Sequence, residues 1–206
     1  MNDNDLGPAT FTEEESLWQI YRKARRIRSS PFNLVTTLIV LVVVSLGAFF
    51  SKQPAEELIR LVRELASFGM NSTLTVLGFL VAGFTIFASV TNPYMLIRMG
   101  SVRHDESGLS WMKHSFFVLI RAFIYFVCYA VFCFFIVYLG AKGGVASVLI
   151  SISPHPEAYR ICVAKLAFVI LAVGQFFLLM QLKSFIFNMY HSVVASLQWK
   201  AEGGDS

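Results

Sequence analysis

The sequence predicts an all-α polytopic membrane protein with four transmembrane helices and amphipathic helices at the membrane surface. Three observations predict it. Four apolar runs lie along the 206 residues, and one of them, Leu74–Val90, carries no charge and comes close to spanning a hydrocarbon core of roughly 30 Å at 1.5 Å per residue. Hydrophobic residues make up 56% of the chain and charged residues 15%, where a soluble domain carries about 25% charged residues; the mean hydropathy is +0.63. No polar segment exceeds about 35 residues, which is too short for a domain with its own core.

The N-terminal segment, residues 1–31, is expected to hold a basic amphipathic helix. Thr12 followed by Glu15 forms a capping-box pattern, and Glu13 and Glu14 suit the positive end of a helix dipole. Leu17, Ile20, Tyr21, Ala24 and Ile27 then recur at helical spacing, while Arg22, Lys23, Arg25, Arg26 and Arg28 occupy much of the remaining surface. Such a helix lies on an anionic membrane surface or docks a cytoplasmic partner, and the two roles are compatible. It does not read as a signal peptide, because the basic cluster follows acids and no small-residue cleavage site closes the apolar run.

The transmembrane domain is expected over residues 32–197, with spans at about 33–50, 73–93, 115–139 and 161–182, and residues 198–206 as a flexible tail. Pro31 separates the basic helix from the first span. Pro54 opens a second amphipathic helix, with Leu58, Leu61, Val62 and Leu65 along one stripe. Asn71-Ser72-Thr73 matches a glycosylation acceptor but abuts the second span, so it is expected to be unused. Gly78 and Ala82 make a small-xxx-small pattern beside Gly83, which predicts close helix packing. Asn92-Pro93 ends or kinks the second span, and residues 96–114 read as a polar loop. Pro154 and Pro156 rule out a long helix in the connector before the fourth span, whose helical pattern continues to Leu197.

Basic residues set the orientation. Taking alternate segments, eleven Lys and Arg fall on the side of the termini and six on the other, which predicts that both termini lie in the cytoplasm. The net charge of +4 and the pI near 9.1 follow from this clustering, and no direct nucleic-acid binding is expected.

No Asp or Glu lies within a predicted span, so a carboxylate proton relay and a carboxylate acid–base pair are both excluded there. Cys128, Cys133 and Cys162 form no disulfide framework, and the four histidines are scattered. The chain is therefore expected to be no enzyme and to use neither metal nor cofactor. What remains is polar and mostly uncharged. Arg121, Tyr125 and Tyr129 share one face of the third span at i, i+4 and i+8; Thr85, Ser89 and Gln175 fall at similar depth. These groups form either a polar seam, lining a cavity or joining subunits, or ordinary interhelical hydrogen bonds with Arg121 reaching to headgroups.

In size, four-span layout and the stretch GFLVAGFTIFASVTNP (Gly78–Pro93), the chain resembles the small membrane subunits of bacterial anti-phage defence systems, the Kiwa membrane component among them. The resemblance implies a homo-oligomer in the bacterial inner membrane that senses phage-induced membrane disturbance and holds a cytoplasmic, DNA-directed effector protein. It assigns no site residue. The alternatives are an oligomeric pore lined by the Arg121/Tyr125/Tyr129 face, which would depolarise the membrane, and a small transporter or accessory subunit.

Overall fold

The structure, a computed structural model, describes residues 13–27, 30–90, 93–104, 107–141, 144, 148, 150–152, 154–201 and 203. Among them the chain forms six helices: α1 (Leu17–Ala24), α2 (Pro31–Phe50), α3 (Ala55–Val90), α4 (Pro93–Ser101), α5 (Trp111–Leu139) and α6 (Pro156–Ala201). The fold is all-α, and α2, α3, α5 and α6 are long and apolar enough to cross a membrane.

Pro31 opens α2 at its first turn, where a missing N–H is tolerated. Its 20 residues give about 30 Å of helix, one hydrocarbon core. Leu34, Leu38, Val42 and Phe49 all face outward, as lipid contact requires.

Two boundaries differ from those expected. The amphipathic helix after Pro54 runs without a break into the second span, so α3 is 36 residues long, about 54 Å. No proline interrupts it, and its stripe of Leu58, Val62 and Ala66 is buried inside the protein. Pro93 starts a new helix, α4, where a loop was expected over 96–114. As its helical pattern implies, α6 continues past residue 182 and ends at Ala201; its 46 residues make about 69 Å, more than twice a hydrocarbon core.

The described residues fall into two compact units. One comprises Ser30–Leu77 and Tyr125–Met180. Its packing centres on Tyr129, which is buried and donates its hydroxyl to Leu171 O at 2.8 Å. Two glycines make room for the ring. A Cβ on Gly174 would stand 2.6 Å from Tyr129 Cε2, and one on Gly69 would stand 3.0 Å from the hydroxyl oxygen and 3.1 Å from Cys133 Sγ. Two polar side chains also join helices in this unit: Asn33 Nδ2 donates to Met180 O at 3.0 Å, and Lys165 Nζ donates to Phe49 O and Ser51 O at 3.2 and 3.0 Å. Lys165 thus caps the carboxyl end of α2, which has no basic residue in its own last turn.

The other unit comprises the described residues of Met1–Ser29, Gly78–Ile124 and Gln181–Ser206. Edge-to-face aromatic pairs hold it together: Phe84 meets Phe116 and Phe123 at centroid distances of 5.7 and 6.5 Å, and Phe123 meets Phe185 at 6.4 Å. A second apolar cluster joins Ala24 and Ile27 to Phe117, with Ile20, Leu109 and Val118 packed around it.

These contacts separate two kinds of glycine. Gly174→Ala should destabilise the protein by about 1–3 kcal/mol, because the tyrosine ring cannot withdraw without losing its hydrogen bond. Gly47→Ala should be neutral or mildly stabilising, since its new methyl meets nothing within 4 Å. Thermal melting in mild detergent distinguishes the two.

Candidate functional site

The site is the basic N-terminal helix and the face of α5 that receives it. Helix α1 begins at Leu17, with Ser16 as its N-cap; Ser16 Oγ accepts from Gln19 N at 3.3 Å, and Gln19 Oε1 accepts from Glu15 N at 2.9 Å. The cap therefore sits four residues after the expected Thr12, which lies outside the described residues. Glu13 and Glu14 precede the helix and turn to cations instead. Lys23 Nζ lies 2.7 Å from Glu13 and 2.7 Å from Glu14, and Lys113 Nζ pairs with both.

The Lys113–Glu14 pair is buried, with side-chain exposures of 7% and 5%. Eight residues further along α5, Arg121 is buried as well. Its Nη1 donates to Ala24 O at 3.0 Å and to Ile27 O at 2.8 Å. Ala24 is the last residue of α1 and Ile27 lies in the turn after it, so Arg121 binds the carboxyl end of that helix and the turn that follows. Lys113, Phe117 and Arg121 follow one another at i, i+4 and i+8 on a single face of α5. The eight-residue step spans about 12 Å, the length of α1 itself. One face of α5 therefore grips α1 at both ends by charge and between them by Phe117 against Ala24 and Ile27.

The apolar stripe of α1 accordingly covers this chain's own core: Ala24 and Ile27 are buried and Ile20 is half-buried. What α1 presents outward is Leu17 and Trp18, both more than 60% exposed, with Arg22, Arg25 and Arg26. Lys23 is held in the ion pairs, and Arg28 lies outside the described residues.

The charges perturb one another. Burial alone would push the Glu14 carboxyl up, but hydrogen bonds and charge from Lys113 and Lys23 outweigh it and hold the group below its ordinary 4.5. Hydrogen bonds from Lys23, then its charge and that of Lys113, lower Glu13 as well. Burial works against the Lys23 cation, yet its two carboxylate partners raise it above 10.5.

The other polar positions singled out from sequence are divided between the two units. Arg121, Thr85 and Ser89 belong to one unit, and Tyr125, Tyr129 and Gln175 to the other. Thr85 and Ser89 are exposed and donate to backbone of their own helix, at Val81 O and Thr85 O. Tyr125 packs edge-on against Phe177 at 5.3 Å. Gln175 Nε2 reaches Ser72 Oγ at 3.3 Å. Arg121 and Tyr129 are each hydrogen-bonded to backbone carbonyls in their own unit. Gly78 and Ala82 face outward, and a Cβ on Gly78 would meet nothing within 4 Å; the adjoining Gly83 does pack, its Cβ position 3.7 Å from Met189 Sδ of α6, and tighter approaches occur at Gly69 and Gly174. Among the described residues no group of three or more His, Cys, Asp or Glu side chains could hold a metal ion.

Replacing Arg121 with Met should remove both guanidinium hydrogen bonds, to Ala24 O and to Ile27 O, and weaken the seat by about 1.5–3 kcal/mol. Amide exchange over residues 20–27 should then accelerate by about tenfold to a hundredfold, with the Tyr129 region unchanged. Acid should act on the same seat. Because the folded Glu14 carboxyl titrates below its ordinary value, its contribution is complete above pH 4.5 and disappears as the pH falls through the lower, folded value. A spin label at Ser16 should be immobile at neutral pH and mobile in acid, and Glu14→Gln should be mobile at both.

No family model matches the chain, and no curated protein or solved structure is detectably similar to it.

Proposed function

We propose that this chain is a non-enzymatic, multi-pass subunit of a bacterial inner membrane that anchors and controls a cytoplasmic effector, in the manner of the anti-phage defence subunits whose layout it resembles. The observation that carries this reading is the seating of α1. Its apolar side is already satisfied by α5, so the exposed Leu17, Trp18, Arg22, Arg25 and Arg26 are available to another molecule. A basic face with an aromatic anchor suits an acidic protein surface at the membrane boundary. The excess of basic residues on the side of the termini supports a cytoplasmic position for this face.

Sensing has a physical route in the same place. The helix that carries the basic face is bound to α5 by buried charge, so a disturbance that shifts α5 alters how α1 is presented. Self-association is part of the proposal and draws on α6. Its exposed apolar side chains run from Tyr159 to Leu197, about 57 Å, which exceeds one hydrocarbon core. Ile186, Tyr190, Val193 and Leu197 recur at the 4-3-4 spacing of a coiled-coil seam, which suits a second copy of the helix.

Affinity purification in mild detergent, with mass spectrometry and a mass measurement of the complex, tests the reading. The native chain should bring down a stoichiometric cytoplasmic partner. The triple variant Arg22→Glu, Arg25→Glu, Arg26→Glu should lose most of that partner while remaining in the membrane fraction. Undiminished recovery from the variant would sink the docking role.

A further inference from the structure

Beside the α1 seat the same unit holds an open groove of about 330 Å³, formed by α4, the start of α5 and the end of α6. Met95, Met99, Val102, Trp111 and Ala195 give it an apolar lining, and Arg98 is its one charged group. No carboxylate among the described residues pairs with Arg98.

We infer that this groove binds a single anionic phospholipid from the bilayer, its phosphate on Arg98 and the upper part of one acyl chain against Met95, Met99 and Trp111. Three features carry the assignment. The volume is at the small end for a ligand site, enough for the top of one chain and its headgroup linkage. The one cation at the edge of an apolar trough complements an amphiphile with one negative group, and guanidinium matches phosphate geometry. The location is also right. α4 starts three residues after α3 ends, and α3 is a candidate span; Trp111 is the first residue of another, α5. Tyr94 and Ile97 of α4 are 74% and 58% exposed, and Trp111 is 45% exposed, the mixture of aromatic and apolar side chains that seats a helix at headgroup level. Methionines suit the trough because an unbranched thioether adapts to a mobile chain.

The inference deepens the sensing role proposed above by naming its lipid input, and it rests on that reading only for its consequence. Its test is independent of any partner protein. The full chain carrying Trp18→Phe and Trp199→Phe retains Trp111 as its single tryptophan and is placed in phosphatidylcholine nanodiscs. Phosphatidylglycerol or phosphatidylcholine, brominated high on the acyl chain, is then titrated in over the same range of mole fraction. Trp111 emission should be quenched at about fivefold lower mole fraction of the anionic lipid. Arg98→Gln should abolish the preference and Arg98→Lys should keep part of it, with helix content unchanged in both. Equal quenching by the two lipids in the native background would overturn the inference. So would a preference that survives Arg98→Gln, or the absence of quenching by either lipid, which would mean that protein fills the groove. No lipid preference with Arg98 in place, together with intact partner recovery, would remove the lipid site and leave the docking role standing.

Discussion

Helix ends are the constraint on which the rest of this structure depends. An α-helix leaves its last four carbonyls without partners, and where water is scarce each orphan costs heavily. Two cations inside the candidate spans answer that demand. Lys165 completes α2 at Phe49 O and Ser51 O, and Arg121 completes α1 at Ala24 O and Ile27 O. Each cation gains partners for its own donors and meets the negative end of a helix dipole. An intramembrane Lys or Arg invites a reading as a substrate or ion site, because such groups are expensive to bury. Here the expense is offset in part by carbonyl oxygens at helix ends, which accept from both cations.

That constraint explains why α1 is ordered against α5. Eight residues of helix are too few to be stable alone in water. α1 persists because its start is tied through Glu14 to Lys113, its middle is covered by Phe117, and its end is completed by Arg121. All three residues of α5 lie on one stripe, so the geometry of a single helix face determines the length and direction of the helix laid upon it.

Much of this was legible in the chain. The four apolar runs became the four long helices, Pro31 opened the first span, and the α1 periodicity found its buried face in Ile20, Ala24 and Ile27. The row Arg121, Tyr125, Tyr129 was visible as one face of α5, but its meaning was not. Extending the row backwards by two steps reaches Phe117 and Lys113, and that extension was the signal that could have revealed the seat. Its partners remained out of view because helical spacing reports neighbours within one element, whereas Arg121 and Ala24 stand 97 residues apart. Glycines misled for a related reason. Gly78 and Ala82 carry the familiar small-residue spacing yet face outward, while Gly174, with no such pattern around it, accepts the Tyr129 ring. Small residues show where close approach is possible; the large side chain that uses the space has to be found in three dimensions.

The balance of charge around α1 also limits how the helix can respond. Lys113 and Arg121 are both buried, and neither can be left without an anionic or carbonyl partner at tolerable cost. Simple thermal detachment of α1 is therefore disfavoured at both ends at once. A ligand that displaced it would have to bring replacement oxygens to two cations about 12 Å apart along α5. A phosphate or carboxylate meets that requirement, and an apolar surface does not. By contrast, a ligand that engages only Arg22, Arg25 and Arg26 breaks none of the seating contacts, since those side chains already face outward. The seat and the outward face are thus separable by chemistry. Contact with the face can proceed with α1 in place, and disturbance of the seat requires competition for buried charge.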